Sequence, residues 1–286
     1  MRTQNKSILA GVRGFSLVEL AVVMAIVAFL LGSLMYTLSA QVEQRNFEDT
    51  RRRLEQAREL ILSFAIINGR LPCPARSAAT VTPVTVAGDE VRDTSGNCIG
   101  DSVTDYYGGT SGGVTLGLLP ARTIGYQQVD TSGFAVDAWG NRIRYAVSGT
   151  APTNCSGTAA SPHFTHAGNL ANNGISCQPD DLVVCKSATG IPSTLPAPSS
   201  TTSACGGAGN QVMTMDLVVA IVFSTGKNGA TGGTGADEAA NLNGDRVFLW
   251  HTPTPGTATN GEYDDQMLWI PVGEFYGRLI SAGKLP

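Results

Sequence analysis

A long apolar run sits almost at the start of the chain, behind a short basic leader. The leader carries Arg2, Lys6 and Arg13. The sequence then reads Arg13-Gly14-Phe15-Ser16-Leu17-Val18-Glu19-Leu20 and stays apolar over residues 21–35. One carboxylate, Glu19, lies inside this run. An ionisable side chain at membrane depth costs about 2.5–3.5 kcal/mol, which marks Glu19 as a candidate functional residue. No A-x-A-like cleavage site follows the run, so it is expected to stay in the mature chain as an anchor. Residues 15–38 are long enough to span a bilayer. Beyond them a helical period persists: Phe47, Thr50, Leu54, Ala57, Ile61 and Phe64 recur three and four residues apart. Glu48, Arg51, Arg52, Glu55, Arg58 and Glu59 occupy the other face. Asn68-Gly69 and then Pro72 stop the helix. One helix is therefore predicted from residue 15 to about residue 67, apolar all round in its first half and amphipathic in its second.

The rest of the chain, out of 286 residues, is enough for one substantial domain. A net charge of −4 argues against a broad nucleic-acid surface. All six cysteines, Cys73, Cys98, Cys155, Cys177, Cys185 and Cys205, follow the helix, and none forms a C-x-x-C pair. An even count without metal-ligand spacing reads as disulfides in an oxidising compartment, each stabilising by about 2–4 kcal/mol. Proximity along the chain pairs Cys73 with Cys98, Cys155 with Cys177 and Cys185 with Cys205, one of many connectivities that six cysteines allow. Arg45, Arg51, Arg52, Arg53 and Arg58 outnumber the leader cations, against a positive-inside count. The cysteines place the C-terminal part on the oxidising side nonetheless.

The segment from Gly14 to Glu19 resembles the cleavage and methylation segment of type IV prepilins and type II secretion pseudopilins. The resemblance implies cleavage after Gly14 by prepilin peptidase and N-methylation of the new terminus, Phe15. It also implies an assembly role for Glu19, whose carboxylate would pair with the terminal amine of a neighbouring subunit and set the stagger of adjacent helices. The implied architecture is α+β and pilin-like. A long N-terminal helix, with a membrane half and a packed half, lies on an antiparallel β-sheet carrying disulfide-bonded loops. The expected divisions are a leader (1–14), a transmembrane and assembly helix (15–39), its continuation packed on the domain (40–67), and a periplasmic domain (68–286). The implied location is the bacterial inner membrane, single-pass, with the filament as destination.

Later in the chain, Ile143, Tyr145 and Val147 alternate as a strand after the turn Trp139-Gly140-Asn141. With Asp137 and Ala138 this segment is similar to the Asp-Pro-Trp-Gly-Asn segment of major pseudopilins. Residues 212–224 form the strongest strand candidate, since the apolar, β-branched run around Val218, Val219, Ile221 and Val222 suits a central buried strand. Residues 181–185, 246–251 and 266–270 read as further strands, and a closing helix starts near Pro271. The glycine-rich loop after Ser224 resembles the calcium loop of major pseudopilins. The resemblance implies a calcium site, for which Asn228, Asp237, Glu238 and Asp245 are the candidate ligands, because calcium takes six to eight oxygens. Asp264-Asp265 precedes the last strand and is read as a loop cap or a second cation contact. His163-x-x-His166 has half the spacing of a metal site, but its Ser/Asn/Gly surroundings favour plain surface histidines.

The reading that joins these features is a structural subunit, a minor pilin or pseudopilin. Its partners are the peptidase, other filament subunits and the inner-membrane assembly machinery, with no nucleic acid. The alternative is a pilus-tip binding module using the 76–120 and 149–210 loops. No nucleophile, base and orienter stand in a catalytic motif, so an enzyme is not expected.

Overall fold

The computed structural model describes residues 14, 16–77, 86–93, 96–98, 104–111, 114–151, 155, 162–196 and 203–285; at 33–39, 104, 105, 110 and 111 it describes the backbone alone. The chain divides into two compact units, Met1–Asn46 and Phe47–Pro286.

Helix α1 (Leu17–Asn68) begins in the first unit. Its start is written in four residues. The Ser16 backbone N–H donates to Glu19 Oε2 at 2.9 Å, and the Glu19 N–H donates to Ser16 Oγ at 3.2 Å. This reciprocal pair is a capping box, which satisfies amides that have no partner within the helix. Gly69, at φ 65°, ends α1 in the left-handed conformation that costs glycine little. In the first unit Leu17, Val18, Leu20, Val22, Met24, Ile26, Phe29 and Leu31 are all exposed.

Three expectations need correction here. Among the described residues no helix is long and apolar enough to cross a membrane. The apolar start of α1 carries a carboxylate, Glu19. The membrane half of the helix and the single-pass inner-membrane location are therefore not supported. Among the described residues, the single antiparallel sheet is replaced by three small sheets, one of them mixed.

The largest core lies in the second unit. Thr50, Leu54, Ala57, Ile61 and Ala65 of α1 are buried at three- and four-residue spacing, with Leu62 buried beside them. The apolar ones share a cluster with strands β3 (Arg144–Val147) and β6 (Val218–Ser224). β6 is the middle strand of an antiparallel sheet in the order β3-β6-β8, with β8 at Gln266–Pro271. Every residue of β6 is buried. That is why its sequence shows an unbroken apolar run rather than alternation. A second sheet has the order β5-β4-β7 (Gln211–Met213, Val183–Cys185, Val247–Leu249), with β4 and β7 parallel. A short hairpin joins β1 (Gly109–Ser111) to β2 (Val114–Leu116). The remaining α-helices among the described residues are α2 (Thr104–Tyr107), α3 (Ala121–Ile124), α4 (Ala167–Asn173), α5 (Ala236–Asn241) and α6 (Val272–Ser281). Arg58, expected on the solvent face of α1, instead donates to the Trp269 carbonyl and pairs with Glu274 of α6.

Three disulfides fasten the loops: Cys73–Cys98, Cys155–Cys177 and Cys185–Cys205. They suit an oxidising compartment.

The buried stripe of α1 generates a direct test. Ile61→Ala is expected to lower the unfolding free energy by about 2–5 kcal/mol, while Ile67→Ala on the exposed face changes it by less than about 0.5 kcal/mol. Urea unfolding of both variants reads the difference.

Candidate metal centre

The antiparallel register pairs Ser224, the last residue of β6, with Gln266, the first of β8. This brings the residues after one strand against the residues before the other. Thr225-Gly226-Lys227-Asn228 therefore faces Asp264-Asp265. Gly226 has φ 62°, and a Cβ there would overlap Asp264 Oδ1, so this position admits only glycine.

The third member arrives on α5. Glu238 lies in the first turn of that helix, and its carboxylate reaches back to the Gly235 N–H at 3.1 Å and the Thr234 N–H at 2.8 Å. Its Oε1 also accepts the Asp264 N–H at 3.0 Å. Asn228 Nδ2 donates to both Glu238 oxygens, at 3.1 and 3.0 Å. Asp264 Oδ2 accepts the Lys227 N–H at 3.0 Å, and Asp265 Oδ2 accepts from Asn241 Nδ2 at 2.7 Å.

One oxygen each from Glu238, Asp264 and Asp265 lies within 4.8 Å of the others. All three residues are buried, at 1, 6 and 4% exposure. Burial pushes the Asp264 carboxyl up to about 6, and the neighbouring Glu238 charge adds to the rise. Burial likewise holds Asp265 well above the usual carboxylate range; the Asn241 hydrogen bond opposes it, and the Glu238 and Asp264 charges reinforce it. Three buried oxygens in the group have no hydrogen-bond partner: Asn228 Oδ1, Asp264 Oδ1 and Asp265 Oδ1. An unmatched buried acceptor costs about 1–3 kcal/mol, more if charged. A hard divalent cation held by Glu238, Asp264 and Asp265 would offset the carboxylate repulsion. The all-oxygen donor set fits calcium, magnesium or manganese and does not suit a soft metal.

Of the four ligands that the glycine loop suggests, the structure brings Asn228 and Glu238 together and leaves Asp237 and Asp245 elsewhere. Neighbouring helical residues point about 100° apart, so Asp237 faces away from Glu238. Asp237 accepts from the Ala188 N–H at 2.6 Å, from Asn260 Nδ2 at 2.9 Å and from His251 Nε2 at 3.1 Å. Asp245 closes a local turn, accepting from the Val247 N–H and from Asn243 Nδ2. Asp264 and Asp265 supply the missing carboxylates. The adjacent acidic pair was the visible signal for them; only strand pairing places it beside the loop.

The histidines do not form a metal site. His163 is fully buried rather than on the surface, edge-on to Phe164, with Nε2 3.1 Å from the Tyr276 hydroxyl. His166 precedes α4 as its N-terminal cap residue. At the other candidate site, Gly14 is exposed, Phe15 lies outside the described residues, and Glu19 takes part in the capping box. No family model, curated protein or solved structure matches this chain.

Two outcomes follow from this geometry. Calcium at about 100 times its Kd stabilises a single-site protein by about 2.7 kcal/mol, roughly 5–10 °C in Tm for a domain of this size. Thermal scans in calcium and in chelator are expected to show that difference in the wild type, to lose most of it in Asp264→Asn, and to keep it in Asp237→Asn. The second outcome concerns His163, whose folded pKa burial lowers to about 4 from 6.5, with the Gly174 backbone pulling the other way. Its unfolded form therefore binds a proton first, and stability falls as pH drops from about 6.5 toward 4. His163→Asn is expected to lose less Tm between pH 7 and pH 4.5 than the wild type does.

Proposed function

We propose that this chain is a filament subunit of the type IV pilin or type II secretion pseudopilin kind. Cleavage after Gly14 would release it from its leader, and it would assemble with other subunits through the start of α1. The observation that carries this reading is the spacing of Gly14, Phe15 and Glu19 at the start of a helix whose first apolar side chains are exposed. Leu17 is 85% exposed, Val18 71% and Phe29 79%. Large apolar side chains along one element are costly in water, and association with like helices would remove them from it.

Glu19 has two tasks in this reading. One carboxylate oxygen caps its own helix through Ser16. The charge also remains available to the terminal amine of a neighbouring chain. Buried beside apolar helices, that pair costs less than either ion alone, so it would specify the stagger between subunits. Calcium at Asn228, Glu238, Asp264 and Asp265 is assigned a structural role, fastening the end of β6 to the start of β8.

The test separates the two tasks of Glu19. In a host with prepilin peptidase, intact-mass measurement is expected to find a chain starting at methylated Phe15. Glu19→Gln keeps a capping-box side chain but has no charge. It is expected to be cleaved normally yet to enter filaments at least about tenfold less than the wild type. Full incorporation of that variant would remove the ion-pair role. A chain still starting at Met1, beside a control substrate that is cut, would overturn the filament reading.

A further inference from the structure

The turn at 137–141 stands between α1 and the glycine loop and is bonded to both. On the helix side, Thr50 Oγ1, fully buried, accepts the Ala138 N–H at 3.1 Å. Arg53 Nη1 donates to the Val136 and Asp137 carbonyls at 3.1 and 2.7 Å. Phe47 meets Trp139 edge-on, with ring centroids 5.0 Å apart. These three helix residues are one turn apart, so a single face of α1 rests on the turn.

On the loop side, Asp137 Oδ2 accepts from Ser224 Oγ at 2.6 Å, and Asn141 Nδ2 donates to the Gly226 carbonyl at 2.6 Å. Asp137 Oδ1 closes the turn on itself, accepting the Trp139 and Asn141 N–H groups at 2.9 and 2.8 Å. The loop then continues straight into the acidic group. Lys227 N–H binds Asp264, and the Asn228 amide binds Glu238. No step between Thr50 and the carboxylates is longer than a hydrogen bond or a single peptide unit.

We propose that the 137–141 turn relays cation binding at Glu238, Asp264 and Asp265 to the hold of the domain on α1 at Thr50 and Arg53. The inference rests on the cation reading above. Without a cation, three buried carboxylates within 4.8 Å of one another repel whenever more than one is charged. Residues 226–228 are tied to two of those carboxylates and must move with them. Gly226 holds Asn141, and Asn141 shares the Asp137 carboxylate with the turn that α1 sits on. Asp137 and Asn141 are thus positioning residues that touch no metal themselves. Coupling between two sites is reciprocal, so loosening the turn must also weaken the cation.

Amide hydrogen exchange of the full chain, with calcium or with chelator, tests this directly. In the wild type, calcium is expected to slow exchange at 225–238, at 136–141 and at 50–57. The effect at 50–57 should exceed that at 60–66 of the same helix, which reports global unfolding, by at least about tenfold. Asn141→Ala should still bind calcium and protect 225–238, with several-fold weaker affinity by titration calorimetry, and should lose the extra protection at 50–57. Protection confined to 225–238 in the wild type would overturn the relay and leave the cation site standing. Undiminished protection at 50–57 in Asn141→Ala would overturn it as well. No calcium protection anywhere would remove the cation reading, and the relay with it.

Discussion

β6 has water on neither face, and the rest of the second unit is arranged to keep it so. A strand whose seven residues are all buried needs a partner on each edge and a layer on each face. β3 and β8 supply the edges. The α1 stripe around Leu54 and Ile61, together with Phe275 and Leu279 of α6, joins its core cluster. With β6 central, the antiparallel register pairs Ser224 with Gln266, so the end of β6 and the start of β8 lie side by side. The acidic group is a consequence of that register.

The same register creates the electrostatic problem of the fold. Asp264 and Asp265 enter beside Glu238 in a buried place, and the surrounding donors do not saturate them. Backbone N–H groups of Lys227, Thr234 and Gly235 meet part of the negative charge. Glycine at 226 lets the loop come close enough to do this. What remains is two unpartnered carboxylate oxygens, Asp264 Oδ1 and Asp265 Oδ1, in a buried acidic group, a disposition suited to a hard cation and poorly suited to an apolar core.

Much of the secondary structure was legible before any coordinates. The three- and four-residue spacing of Thr50, Leu54, Ala57 and Ile61 marked the buried face of α1, and the β-branched run marked β6. The capping box Ser16-x-x-Glu19 is equally visible as a pattern in the sequence. Other readings failed for physical reasons. A polar neighbourhood in sequence suggested a surface His163, whereas packing on Phe164 and Tyr276 buries it. Asp237 and Glu238 looked equivalent in the glycine loop, and helix geometry separates them. The parallel pairing of β4 with β7 joins segments far apart in the chain, and no local pattern announces such a contact. The expected membrane half is not supported by the described part of α1.

Local chemistry therefore determined where helices and strands begin and end, because caps, glycines and apolar period act over a few residues. The segment from Gly14 to Glu19, on which the filament proposal rests, is likewise a short contiguous pattern. Tertiary structure alone decided which carboxylates meet. Glu238 and Asp264 are 26 residues apart, and each is ordinary in its own neighbourhood. They meet only because the pairing of β6 with β8 brings Asp264 against the segment that follows β6.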